Sequence, residues 1–278
     1  MSECNHDCAH CSENCSERKF NKEDFLKPQN KDSNVKNVIA IVSGKGGVGK
    51  SMVTSLLAVS MAKQGKHVGI LDADITGASI PKVFGIEGMA TGSEDGIDPK
   101  ITRKGIKLIS SNLLLEDPTD PIIWRGPVIS GLVEQFWTDV KWGDIDYLFC
   151  DMPPGTGDVP LTVFQSLPVK GIIIVTSPQD LVSMIVEKAA KMAEKMEIPI
   201  LGIVENMSYF ECPNCGEKHY IFGNSHIDEI AAQYCVDTVE RLPIDATLPA
   251  LADQGLIEEY DGDSVRHITK KIIDTLER

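Results

Sequence analysis

Gly44-Lys45-Gly46-Gly47-Val48-Gly49-Lys50-Ser51 is the stretch on which the fold turns. It fits the phosphate-loop pattern G-x-x-x-x-G-K-[ST], and it stands between an apolar run at 38–43 and a segment of helical periodicity at 50–64. A strand, a glycine loop and a helix in that order aim successive backbone N–H groups, and the positive end of the helix, at an anion. The glycines let the backbone curl that tightly. Lys50 is placed to neutralise the outer phosphates of a nucleotide, and Ser51 to offer its hydroxyl to Mg²⁺. Gly44, Lys45, Gly46, Gly47, Val48, Gly49, Lys50 and Ser51 are therefore the candidate nucleotide-binding set.

Outward from the loop, short apolar runs alternate with helical patterns. Candidate strands lie at 38–43, 67–72, 106–110, 147–151, 171–176, 200–205 and 239–242, and candidate helices at 50–64, 127–137, 181–196 and 226–234. The strand runs are almost continuously apolar, as in strands covered on both faces. The alternation predicts an α/β fold, a mostly parallel, doubly wound sheet with helices on both sides. Residues 85–104, rich in glycine and acidic groups, read as an irregular loop. Asp151 ends the run Tyr147-Leu148-Phe149-Cys150-Asp151, and Asp72 and Asp74 close Leu71-Asp72-Ala73-Asp74. Carboxylates at the C-terminal edge of a parallel sheet face the crevice where ligands bind, and Asp151 is placed to support Mg²⁺.

The 278 residues suffice for one α/β domain with a sizeable core. A net charge of −14 argues against a general nucleic-acid binder and against binding to an anionic membrane. No apolar run approaches the length of a membrane span, and the polar N-terminus has no apolar signal core, so the chain reads as cytoplasmic. Residues 1–36 read as a cysteine-rich segment followed by a polar, charged linker, and 37–278 as the phosphate-loop domain.

Four of the eight cysteines lie in the first fifteen residues, as Cys4-x3-Cys8-x2-Cys11-x3-Cys15. These four ligands on one segment could hold an iron–sulfur cluster, or zinc with help from His6 or His10, or form a metal-scavenging tail. The first three share the spacing of radical-SAM enzymes, but the expected barrel is missing. Cys212-Pro213-Asn214-Cys215 is half of a four-ligand site. His219 could complete it for zinc, the same pair from a second subunit could complete a Cys₄ site suited to a [4Fe–4S] cluster, or the two could form a disulfide or an idle pair. Cys150, in a strand, and Cys235 read as core residues.

Lys45 within the loop resembles the deviant phosphate loop of the MinD/ParA-like ATPases. Asp151-Met152-Pro153-Pro154-Gly155-Thr156-Gly157-Asp158, Trp124-Arg125-Gly126-Pro127 and the Cys212–Cys215 motif together resemble the Mrp/ApbC-type iron–sulfur cluster carriers within that group, over about 36–278. The resemblance implies an ATP-hydrolysing homodimer that binds a [4Fe–4S] cluster and transfers it to apoprotein acceptors. In that frame Lys45 would reach the partner's nucleotide, Asp74 would orient the attacking water and Asp151 would support Mg²⁺. Gly155 would sense the γ-phosphate, Asn206 would contact adenine, and Cys212 and Cys215 of two subunits would share the cluster. Met52 stands where the family usually has a threonine, and the spacing of the N-terminal cysteines departs from that of eukaryotic-type relatives. The alternatives are a positioning or partitioning switch and a zinc-bound regulatory ATPase. A stripe of Val265, Ile268, Ile272 and Leu276 marks a final helix that packs on the domain rather than on a membrane.

Overall fold

β1 (Ser33–Ser43) is buried along its last seven residues, as a strand covered on both faces must be. The structure, a computed structural model, describes residues 25–117, 126–179, 182–223 and 225–277. The candidates Cys4, Cys8, Cys11 and Cys15, with Trp124 and Arg125, lie outside the described residues.

The remaining strands are β2 (Val68–Asp72), β3 (Gly92–Ser93), β4 (Gly96–Ile97), β5 (Lys100–Ile101), β6 (Lys107–Ile109), β7 (Gly143–Asp151), β8 (Val169–Thr176), β9 (Ile200–Glu211), β10 (Lys218–His219) and β11 (Val239–Pro243). The helices are α1 (Lys50–Lys63), α2 (Ile80–Val83), α3 (Gly126–Thr138), α4 (Asp158–Ser166), α5 (Val182–Lys195), α6 (Ile227–Gln233), α7 (Thr247–Asp253) and α8 (Arg266–Leu276). The main sheet runs β11-β9-β8-β1-β7-β2-β6-β5, parallel except for β5, and β10 pairs antiparallel with the far end of β9. All seven expected strands and all four expected helices are present.

Strand alternation divides each apolar run between two cores. Val38, Ala40, Val42, Leu148, Cys150, Ile172 and Ile174 face α3, α4, α5 and α6. Ile39, Ile41, Tyr147, Phe149, Ile173 and Val175 face α1, α2, α7 and α8. In α8, Ile268 and Ile272 are fully buried in this second core, so its apolar stripe is spent on the fold. No helix among the described residues is long and apolar enough to cross a membrane.

Three sequence expectations need correction. The span 85–104 is not wholly irregular: β3 and β4 form a small antiparallel ribbon around the Glu94-Asp95 turn, and β5 adds an edge strand. Ser33–Lys36, assigned to the linker, belong to β1, where Ser33 and Asn34 pair with Gly143 and Asp144 of β7. Cys235 is not a core residue; it is exposed with φ 53°. It occupies the left-handed position that ends α6, where its N–H bonds Ala232 and the Val236 N–H bonds Ala231, and Val236 is buried in its place.

Candidate functional site

The phosphate loop joins the C-terminal end of central β1 to α1, in the crevice at the sheet's carboxyl edge. Gly49, with φ 81°, caps α1, and a Cβ there would stand 2.2 Å from the Asn206 Nδ2. That crowding has a cause: Asn206 donates its amide to the Val48 carbonyl at 2.9 Å. A strand from the far side of the sheet thus buttresses the loop. Ser43, Lys45 through Met52, Asp74 and Pro154 line a pocket of about 230 Å³ over it.

Four ionisable side chains meet at and beneath this pocket. Lys50, 6% exposed, holds its Nζ 2.8 Å from Asp151 Oδ1 and 3.8 Å from Asp74 Oδ2. The contact with Asp151 is an ion pair without hydrogen-bond alignment, so the buried ammonium keeps donors unspent. Asp151 is wholly buried and accepts the Ser51 hydroxyl at 2.5 Å and the Thr54 hydroxyl at 2.7 Å. Asp72 pairs in register with Asp151 and accepts the Ser110 hydroxyl at 3.0 Å and the Asp74 N–H at 3.2 Å. Three carboxyls therefore surround one lysine, and the imbalance shows in their protonation. Burial, then Asp151, pushes the Asp72 carboxyl up to about 8 against the pull of Lys50. Burial raises Asp74 too, opposed by Lys50. Surplus negative charge beside a serine hydroxyl, and an ammonium with free donors, fit a divalent cation bound with a nucleotide phosphate.

Asp72 does not line the pocket; it stands one layer behind Asp74. That placement has a measurable consequence. A carboxyl raised from 3.8 to about 8 keeps in the folded chain a proton that the unfolded chain releases across that interval. Its contribution to stability is complete below the unfolded value and is lost as pH rises through the folded one. Urea midpoints of the nucleotide-free protein are expected to fall between about pH 5.5 and about pH 8, and Asp72→Asn to flatten much of that fall. An unchanged slope in Asp72→Asn would reject the buried, protonated Asp72.

Three further residues belong to the site besides the expected set. Thr54 reaches Asp151 because it lies on the same face of α1 as Lys50 and Ser51, a spacing visible in the sequence. Ser43 has a buried hydroxyl with no partner at the pocket wall, while its carbonyl accepts the Gly155 N–H at 2.8 Å. Gln179 accepts a hydrogen bond from the half-buried Lys45 ammonium, a contact that no spacing rule predicts. Met52, at the position of the usual threonine, lines the pocket and packs on the second core.

β9 does not stop at Glu205 but runs on through Asn206 to Glu211. Cys212 follows, and a tight turn brings the chain back as β10, with the Cys212 N–H bonded to Glu217 and the Gly216 N–H to Cys212. The N–H groups of Asn214 and then Cys215, with the Cys215 thiol, hold the Cys212 thiol below its ordinary value. Such a knuckle favours a thiolate, the form that ligates metal. Cys215 is exposed, and no third His, Cys, Asp or Glu joins the pair among the described residues. His219 therefore does not complete the site in this structure. Phe210, Tyr220, Ile221 and Phe222 leave an exposed apolar patch around the hairpin.

Comparison with known proteins places this geometry in a family. Residues 34–277 match the ParA family model described as NUBPL iron-transfer P-loop NTPase. An iron–sulfur cluster carrier protein of Methanocaldococcus jannaschii is 42% identical over 100% of this chain and 99% of its own. A carrier of the same name from Clostridium perfringens is 47% identical over 82% of each chain. A nucleotide-binding protein of Archaeoglobus fulgidus, solved in complex with ADP, is 47% identical with a TM-score of 0.78, over 90% of this chain and 98% of that one. MinD of Pyrococcus horikoshii, at 19% identity and a TM-score of 0.61 over 87% of this chain and 96% of its own, shares the fold.

Proposed function

This chain belongs to the ParA group of P-loop NTPases, in its NUBPL-type iron-transfer family, and from that premise we propose that it is an ATP-hydrolysing carrier of a [4Fe–4S] cluster. Two subunits share the cluster through Cys212 and Cys215 and deliver it to apoproteins. The observation that carries this reading is the cysteine knuckle: the Cys212 thiol is held below its ordinary value by the N–H groups of Asn214 and Cys215, beside the exposed thiol of Cys215. Two such knuckles supply the four thiolates a cubane needs, and a two-fold axis brings them together. The exposed apolar patch around the hairpin suits a surface that is covered when the dimer or an acceptor docks.

At the nucleotide, Lys50 and the loop N–H groups bind the phosphates, and Ser51 and Asp151 hold Mg²⁺, which supplies charge neutralisation when bound. Asp74 lies at the pocket with its carboxyl raised by burial, so it is a stronger proton acceptor than an ordinary aspartate and suits the orientation of water. Gly155, parked on the Ser43 carbonyl, has an N–H that can turn to the γ-phosphate. Lys45 sits at the rim, held by Gln179 of its own chain, and acts across the dimer on the partner's nucleotide. The cytoplasm is the compartment this chemistry suits, since reduced thiolates are needed.

Lys45 separates a dimer-assembled site from a self-sufficient one. Lys45→Ala is expected to bind nucleotide normally and lose most hydrolysis. Mixed with Lys50→Ala subunits, it should regain activity at no more than one of the two sites of a mixed dimer. Normal hydrolysis by monomeric Lys45→Ala would eliminate the trans-acting lysine.

A further inference from the structure

Between the phosphate loop and the cysteine hairpin, β9 contains a backbone outlier. Met207 takes φ 56°, a left-handed conformation costly for a residue with a side chain. Here β9 is bulged against β11: Arg241 pairs with Glu205 and Pro243 with Tyr209, so two steps on β11 match four on β9. One side chain ties the bulge to the nucleotide loop. The Asn206 amide donates through Nδ2 to the Val48 carbonyl at 2.9 Å and accepts the Met207 N–H on Oδ1 at 3.0 Å. The reverse orientation would set oxygen against oxygen, so both contacts fix the amide one way.

On the other side of the bulge, the hairpin is anchored as a unit. Glu205, 2% exposed, accepts the Ser208 hydroxyl at 2.6 Å and the Ser225 hydroxyl, and Arg241 approaches it at 3.7 Å. From Ser208 the strand runs without a further left-handed residue to Glu211, and Cys212 follows. Glu205 and Ser208 thus bracket a two-residue pivot, Asn206–Met207. Cys212 lies six residues beyond Asn206, about 20 Å along an extended chain.

We propose that Asn206 and Met207 are positioning residues that couple the nucleotide loop to the cysteine hairpin. This inference rests on the carrier reading above and adds the route by which nucleotide acts on the cysteines. A planar amide that holds Val48 and Met207 together cannot follow a shift of the loop without turning the Met207 peptide. The bulge has a strained arrangement to leave and a buried anchor, Glu205, to turn about. Movement at Val48 therefore re-aims the strand that ends in Cys212.

The test reads hairpin geometry without requiring a cluster. In the metal-free, full-length protein, the alkylation rate of Cys212 by iodoacetamide is followed by peptide mass spectrometry, with Mg²⁺ and either ADP or a non-hydrolysable ATP analogue. Nucleotide binding is measured in the same samples with a fluorescent ADP. The two rates are expected to differ by about 2- to 30-fold, the range of coupling carried by packed networks. Met207→Gly, which frees the pivot, should bring their ratio close to one while nucleotide binding stays intact. Met207→Asn, whose side chain tolerates the left-handed region, should keep the ratio of the unaltered chain. An undiminished ratio in Met207→Gly overturns the proposal, as does equal reactivity in both nucleotide states of the unaltered protein. Absent nucleotide binding would instead bring down the ATPase reading, and with it the coupling.

Discussion

Replacing Lys50 with alanine is expected to lower ATP hydrolysis by about 10²-fold or more, the scale of losing a fixed electrostatic group at a transferring phosphoryl. The geometry gives the reason. Lys50 is the cation buried among Asp72, Asp74 and Asp151, and its Nζ retains donors that the protein does not use. Without it, a triphosphate would enter a pocket whose nearest buried charges are carboxylates. The same change threatens the fold, since breaking a buried ion pair costs about 3–5 kcal/mol. Part of that cost is relieved here, because Asp72 and Asp74, already raised by burial, would rise further once Lys50 stops opposing the shift. Activity must therefore be read beside a thermal melt. A folded Lys50→Ala protein that turns over ATP at a near-normal rate would reject the site.

The phosphate loop was legible because strand, glycines and helix are contiguous, so local sequence contains nearly all of the geometry. Asp151 was legible as a strand end, since the apolar run before it marks where β7 stops, whereas Asp74, also read as a strand end, lies two residues beyond the end of β2. Asp72 was legible as a strand-end acid but not as a buried one. Its distance from the pocket depends on Ser110 and Asp74 closing around it. β9 was misread at its end for a physical reason. Asn206 and Ser208 are polar, and the bulge at Met207 breaks the alternation that signals a strand, so the pattern stops where the chain does not. The start of β1 was lost similarly. Asn34 and Lys36 are satisfied by Asp144 and Asp146 of β7, so the strand's outer end is held by cross-strand polar pairs rather than apolar burial. α4 carries Pro160 and yields no clear helical stripe, yet a proline in the first turn leaves no helix hydrogen bond unmade.

β9 carries Asn206, which holds the phosphate loop, and ends one residue before Cys212, so a single strand links the two sites and sharpens what the cysteines should do when altered. Cys212→Ser and Cys215→Ser are each expected to abolish iron binding while leaving nucleotide binding intact, because the residues linking them to the phosphate loop remain. Cys4, Cys8, Cys11 and Cys15 could bind metal on their own account, so the comparison uses a full-length background in which those four are serine. In that background, anaerobic reconstitution with iron and sulfide should yield about four irons per dimer, the content of one cubane held by four thiolates. The count distinguishes the readings because each subunit brings only two thiolates at the hairpin. A cluster complete within one subunit would double the count and persist in a monomer. A shared cluster must leave with the dimer, so dilution below the dimer's dissociation constant should release iron and subunits together. Transfer to an apo-acceptor faster than free iron and sulfide rebuild its cluster would then establish delivery rather than storage. One zinc per subunit and no iron after reconstitution would decide for a structural metal, and the nucleotide would then act on something other than a cargo. Loss of iron in both serine variants, with ATP still bound, would leave Cys212 and Cys215 as the ligands.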